Sequence, residues 1–193
     1  MSGELALEHW RLFLAVFPDA GAVTSITEAI RALPSTRETE ALRWLSDSQL
    51  HITLRFLGSV PAERVASISS ACAVAVASCM GFELEVCGAG AFASARRASV
   101  LWLGSGVGTA ALRALATRVN AAIDAQGFTP EAREFQAHLT LARSKRPRSL
   151  LQTIESLRGL RVQFRVDEVV LVRSHTGPKG SRYEVLERFA LGS

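Results

Sequence analysis

Lysine is almost missing from this chain. Of 22 basic residues only Lys145 and Lys179 are lysine, and the remaining 20 are arginine. Two causes fit that imbalance. One is GC-rich coding, which also suits the 29 alanines. The other is a need for planar guanidinium forks, each able to grip two phosphate oxygens. Composition alone does not separate them. With 18 acidic residues the net charge is +4, too small to imply an extended nucleic-acid surface.

Cysteine is scarce too: three residues, an odd number, with no Cys-x-x-Cys and no histidine at zinc-ligand spacing. This excludes a disulfide framework and a zinc ribbon. Cys72, Cys79 and Cys87 read as small hydrophobes in a reducing compartment. No apolar run approaches the roughly 20 residues a bilayer demands, because Ala71 to Phe82 is broken by Ser78 and Gly81. The first eight residues carry acids where a secretory signal carries positive charge. A soluble, cytoplasmic protein with no membrane contact is the expectation. What is present, 48% hydrophobic and 21% charged residues, suits one folded domain over residues 1–193.

The pattern along the chain mixes strands and helices without strict alternation. Trp10 to Pro18, Leu42 to Leu45, His51 to Leu57, Phe82 to Val86 and Ser99 to Leu103 read as strands, and Phe135 to Ala142 contains another. Val162 to Arg173 and Tyr183 to Leu191 read as two long paired strands. Helices are predicted over 20–33, 61–80, 109–126 and 150–157, with Gly127 closing the third. Gly88 to Ala95 and the basic stretch Arg143 to Arg148 read as irregular segments. The order favours an α+β fold with antiparallel sheets.

Two tetrapeptides nearly coincide: His51-Ile52-Thr53-Leu54 and His138-Leu139-Thr140-Leu141, a little under half the chain apart. On a strand, residues i and i+2 project to one side. Each His therefore shares a face with its Thr, and the intervening aliphatic residues anchor the other face. Two such strands facing one cleft, one from each of two similar lobes, would bring together two imidazoles and two hydroxyls. That set suits acid–base chemistry on a phosphate. One neutral His can take a proton from water, an imidazolium can supply one to the leaving oxygen, and hydroxyls can donate to the phosphoryl oxygens. No cofactor and no metal is called for, since neither motif has a nearby acid or second His at ligand spacing.

The chain resembles the two-histidine (2H) phosphoesterase superfamily, and within it the RNA 2′,3′-cyclic phosphodiesterases formerly called 2′-5′ RNA ligases. The resemblance rests on Arg11-Leu12-Phe13-Leu14-Ala15, Leu50 to Gly58, Val100 to Gly104, Phe135 to Arg143 and Arg182 to Leu186, in order along nearly the whole chain. It implies a bilobal α+β fold with two pseudo-symmetric lobes, antiparallel sheets flanking a central cleft and helices on the outer faces. It implies that His51 donates a proton, His138 accepts one, Thr53 and Thr140 assist, and Arg143 helps bind the phosphate. RNA ends or cyclic nucleotides would be the substrate and the protein a monomer. Ala137 stands where the family often has Pro. End joining, 2′,5′-oligonucleotide cleavage and RNA binding without turnover remain alternatives.

Other residues carry weaker expectations. Arg55 falls on the His51–Thr53 face by alternation, so it could reach phosphate or lie on a solvated rim. Arg96, Arg97, Lys145, Arg146 and Arg148 could meet an RNA backbone, although charge runs are more often solvated. Phe13, Phe17 and Trp102 read first as core. Tyr183 could line the cleft, and His175 reads as surface. The glycine-rich segment Gly104 to Gly108 lacks the Lys-Ser/Thr of a phosphate-binding loop and reads as a turn.

Overall fold

The structure, a computed structural model, describes residues 8–177 and 180–192. The apolar first segment forms β1 (His9–Val16). Asp19 then caps α1 (Ala20–Arg31) by accepting from the Ala22 amide at 2.8 Å. A short β2 (Arg43–Trp44) and a 3₁₀ turn over Asp47–Gln49 lead to β3 (Ile52–Pro61) and α2 (Val65–Val76). There follow β4 (Phe82–Phe92), β5 (Ala98–Ser105), α3 (Thr109–Ala125), β6 (Leu139–Arg148), α4 (Leu151–Ser156), β7 (Arg161–Val166), β8 (Glu168–Gly177) and β9 (Gly180–Ala190).

The strands make one antiparallel sheet in the order β7-β4-β5-β6-β3-β1-β8-β9, with β2 added to β6. It divides into two equivalent halves, β3-β1-β8-β9 and β6-β5-β4-β7. In each, a strand–helix–strand unit supplies the inner pair, β1-α1-β3 in one and β5-α3-β6 in the other. Among the described residues the ladder that joins β3 to β6 is a single pair, Ile52 opposite Leu139. The sheet curls strongly: β7 and β8 are separated only by Asp167 yet stand near its opposite ends.

Helices cover one face. The stripe Leu112, Leu115, Val119 and Ile123 of α3 is fully buried against a core that also takes Ile52, Leu54, Leu139 and Leu141. Burying each such side chain contributes about 1.5–3 kcal/mol. A smaller cluster of Phe13, Ala15, Val170 and Val172 forms separately, with Phe17 and Tyr183 packed on it. The predicted α+β architecture with antiparallel sheets and two lobes is therefore observed, the lobes being halves of one continuous sheet.

Several local expectations change. Gly88 to Ala95 is not irregular: β4 continues to Phe92, and its register skips between Cys87 and Ala89 at Gly88, whose φ is +66°. The basic segment Arg143 to Arg148 is strand, because β5 pairs along it as far as Arg148. The single long strand predicted over Val162 to Arg173 is broken at Asp167, and its two parts serve different halves of the sheet. The strand expected within Phe135 to Ala142 begins at Leu139 and runs on to Arg148. Cys72 is buried, while Cys79 and Cys87 are half-buried; all three are free thiols. Burial pushes the Cys72 thiol up to about 12.

Candidate active site

His51 and His138 occupy equivalent places, one residue ahead of β3 and of β6. Both are held in the same way. His51 Nδ1 lies 2.6 Å from the Gln49 carbonyl oxygen, and His138 Nδ1 lies 2.8 Å from that of Gln136. A carbonyl only accepts, so each Nδ1 carries the proton and each neutral ring presents Nε2 as its unprotonated nitrogen. The repeat is therefore longer than two tetrapeptides. Gln49-Leu50-His51-Ile52-Thr53-Leu54 matches Gln136-Ala137-His138-Leu139-Thr140-Leu141, and the repeated Gln two places upstream was the available signal for the anchor. Ala137, where the related pattern often has Pro, is buried and leaves the Gln136 contact intact.

The two sites differ in what surrounds Nε2. His51 Nε2 meets Thr53 Oγ1 at 3.1 Å. His138 Nε2 has no hydrogen-bond partner among the described residues, while Thr140 is buried beside it on the strand. Burial lowers the His51 pKa to about 4, against a raising effect of the Gln49 carbonyl, with further lowering from the Arg143 charge and from His138 when it is protonated. His51 is thus a neutral ring accepting from the Thr53 hydroxyl.

Arg55 does not lie on the His51–Thr53 face. The register of β1 with β3 runs Ala15 to Thr53 and then Leu14 to Arg55, so Leu54 is an extra residue. That bulge reverses the alternation. Arg55 turns into the protein, 3% exposed, where it donates to Asn120 Oδ1 at 2.7 Å, Asp124 Oδ1 at 2.8 Å and the Thr129 carbonyl at 2.6 Å. Phe56 turns outward instead, 62% exposed. The same device recurs in β6: Trp102 pairs with Thr140 and Leu101 with Ala142, so Leu141 is the extra residue. There it buries Ala142 and brings Arg143 outward. Plain alternation from His138 would have put Arg143 on the opposite face; the bulge restores it to the histidine side.

Aromatic rings wall both imidazoles. Phe13, Tyr183 and Phe17 have ring centroids 5.0, 5.3 and 5.6 Å from that of His51. Phe92 and Trp102 stand 5.0 and 6.5 Å from His138. Phe13 is buried as expected, but under His51 rather than in the main core. Trp102, also expected in the core, faces His138, and Gly90 makes room for it: a Cβ there would sit 2.3 Å from the indole. Tyr183 lines the site as anticipated. Burial raises its phenol pKa while the charges of Arg143 and Arg43 pull it down.

The remaining candidates fall away from the histidines. Arg96 and Arg97 are exposed on the β4–β5 turn, and Lys145 and Arg146 are exposed on β6. Arg148 is engaged with Ser144 Oγ and the Arg37 carbonyl. His175 Nε2 meets Glu184 Oε2 at 2.6 Å across β8 and β9. Among the described residues no three His, Cys, Asp or Glu side chains gather closely enough to hold a metal ion, and no helix is long and apolar enough to cross a membrane.

Known proteins with this architecture can now be set beside it. The chain is 37% identical over 119 residues to the RNA 2′,3′-cyclic phosphodiesterase of Aeropyrum pernix, covering 62% of this chain and 66% of that one. It is 31% identical over 185 residues to the protein of that name in Methanothermobacter thermautotrophicus, covering 94% and 98%. Among solved structures, Escherichia coli LigT complexed with 3′-AMP superposes with a TM-score of 0.75 at 28% identity, covering 96% of this chain and all of that one. The profile of one family, described as the 2′-5′ RNA ligase superfamily, matches residues 17–178, and with most of its length so matched this chain belongs to that superfamily.

Proposed function

We propose that this protein hydrolyses the terminal 2′,3′-cyclic phosphate of RNA to a 2′-phosphomonoester, with His138 as base and His51 as acid. The observation that carries the reading is the duplicated anchor, which holds two imidazoles Nδ1-inward at the junction of the two sheet halves with a threonine beside each. Relatives named RNA 2′,3′-cyclic phosphodiesterase support the reaction, and the choice of the 3′ oxygen as leaving group follows from the family resemblance.

His138 Nε2, without a partner among the described residues, takes a proton from a water molecule, whose oxygen attacks phosphorus. The P–O3′ bond breaks in line and His51 Nε2 delivers a proton to the departing oxygen. Thr53, Thr140 and Arg143 donate to the non-bridging oxygens as charge builds there. His51 must be protonated for this, and the substrate assists. A phosphate anion in the cleft offsets the repulsion from Arg143 and raises the His51 pKa above its free value of about 4.

The test is turnover of a cyclic-ended oligonucleotide in EDTA, with product analysis. The wild-type protein is expected to give the 2′-phosphate at an undiminished rate. His51→Ala and His138→Ala are each expected to lose at least about 100-fold in kcat while keeping the wild-type unfolding transition. Wild-type rates in both variants would sink the assignment.

A further inference from the structure

Beside His51 lies a cavity of about 490 Å³ that shares Phe13, Tyr183 and Arg143 with the histidine site. It is lined by Arg11, Arg43, Arg143, Phe56 and Tyr183, together with serine, threonine and aliphatic groups, and no carboxylate is among its lining residues. It adjoins the reaction centre, because Phe13 and Tyr183 pack on His51 and the Gln49 carbonyl holds it. All three arginines are exposed and, among the described residues, none makes an ion pair or side-chain hydrogen bond. Elsewhere this chain pairs its arginines readily, as Arg55 with Asp124, Arg161 with Glu85 and Arg173 with Glu8.

Two of these unpaired cations are placed against each other. Arg43 on β2 is the direct cross-strand partner of Arg143 on β6. Like charges opposite one another are unfavourable unless an anion lies between them. Gly180 accommodates the arrangement, since a Cβ at that position would fall 2.5 Å from the Arg43 Nη1. Arg143 also serves the reacting phosphate in the proposed mechanism, so it stands at the border of the two compartments. Phe56, 62% exposed on this wall, offers an apolar face to a ribose or base lying between two phosphates.

Building on the reading of the site as an RNA-end phosphodiesterase, we infer that the Arg11–Arg43–Arg143 cavity is a subsite for a second phosphate, the phosphodiester preceding the terminal nucleotide. The enzyme is then built for oligonucleotide ends rather than for cyclic mononucleotides. A free 5′-phosphate shares this chemistry, and the experiment distinguishes the two sources.

The probes are adenosine 3′-phosphate, adenosine 3′,5′-bisphosphate and the dinucleotide ApAp with a 3′-phosphate, bound to the wild-type protein, Arg11→Ala and Arg43→Ala by calorimetry. For the wild type, ApAp is expected to bind about tenfold more tightly than the monophosphate. That gain should shrink as salt rises and collapse toward one in both variants. An equal gain with the bisphosphate means that any 5′-phosphate suffices, and still supports the subsite. No gain with ApAp, or a gain that survives both substitutions, overturns it. Failure of the wild type to cleave a cyclic-ended dinucleotide would sink the parent reading instead, and leave the affinity ratios to decide this one.

Discussion

Two residues show how environment decides what a side chain does. Arg55 sits in the motif strand and carries the charge a phosphate site needs, but its three hydrogen bonds all go to α3 and the segment after it. Arg55→Ala is expected to cost about 2–3 kcal/mol of stability, read by urea unfolding, because Asn120 and the Thr129 carbonyl lose their donor while the half-exposed Asp124 can rehydrate. Its effect on phosphate affinity should be small. His51 makes the opposite case. Its pKa of about 4 in the folded protein lies below the roughly 6.5 of an unfolded histidine. The unfolded chain therefore takes up a proton that the folded one refuses. The stabilisation from this difference is complete above about pH 6.5 and is lost as pH falls toward 4. Urea midpoints should drop across that window, and less so in His51→Gln. Nuclear magnetic resonance should find the His51 ring neutral at pH 6 in the free protein and charged more readily once phosphate is bound.

At the scale of elements, the bulges at Leu54 and Leu141 matter most. A bulge converts one strand face into the other from that point on. In β3 it buries an arginine and exposes a phenylalanine, while in β6 it buries an alanine and exposes Arg143. The same device thus gives the two halves different chemistry on a shared plan, an aromatic wall in one and a cation in the other. The pairing of β4 with β5 has its own requirement, the close approach of Gly90 to Trp102. Gly90→Ala is expected to displace the indole and destabilise by about 1–3 kcal/mol. The checks are a lowered unfolding midpoint and a change in indole fluorescence that disappears when Trp102 is replaced by Phe.

For the molecule as a whole, the histidines flank the joint at which two similar half-sheets meet edge to edge, Ile52 opposite Leu139, both almost wholly buried. Shortening either side chain to alanine should cost about 2–5 kcal/mol. The double variant should depart from additivity, since the two are in contact, and a thermodynamic cycle on unfolding free energies measures the departure. Kinetic loss in the single variants is expected to exceed what the folded fraction explains, because this joint sets the separation of the imidazoles. Part of the arginine surplus also finds its use at this scale. Arg55, Arg113, Arg158, Arg161, Arg165, Arg173 and Arg188 hold carboxylates, and Arg64 and Arg173 lie over Phe128 and Trp10. These eight leave twelve of the 20 arginines, Arg11, Arg43 and Arg143 among them.

The sequence alone determined the two histidine–threonine pairs. Strand periodicity places His51 beside Thr53 and His138 beside Thr140 whatever the rest of the chain does, and the repetition of the motif indicates two equivalent sites. It also specified α3, whose apolar stripe and closing Gly127 are local signals. It could not specify Arg55 or Arg143, since one inserted residue in a strand reverses every later side chain, and bulges are set by the partner strand's register. Nor could it show that the stretch from Val162 to Arg173 breaks at Asp167, because both parts read as strand and only their partners differ. The cavity of Arg11, Arg43 and Arg143 belongs wholly to the tertiary structure. Its members come from three strands distant in sequence, and only pairing brings their charges together.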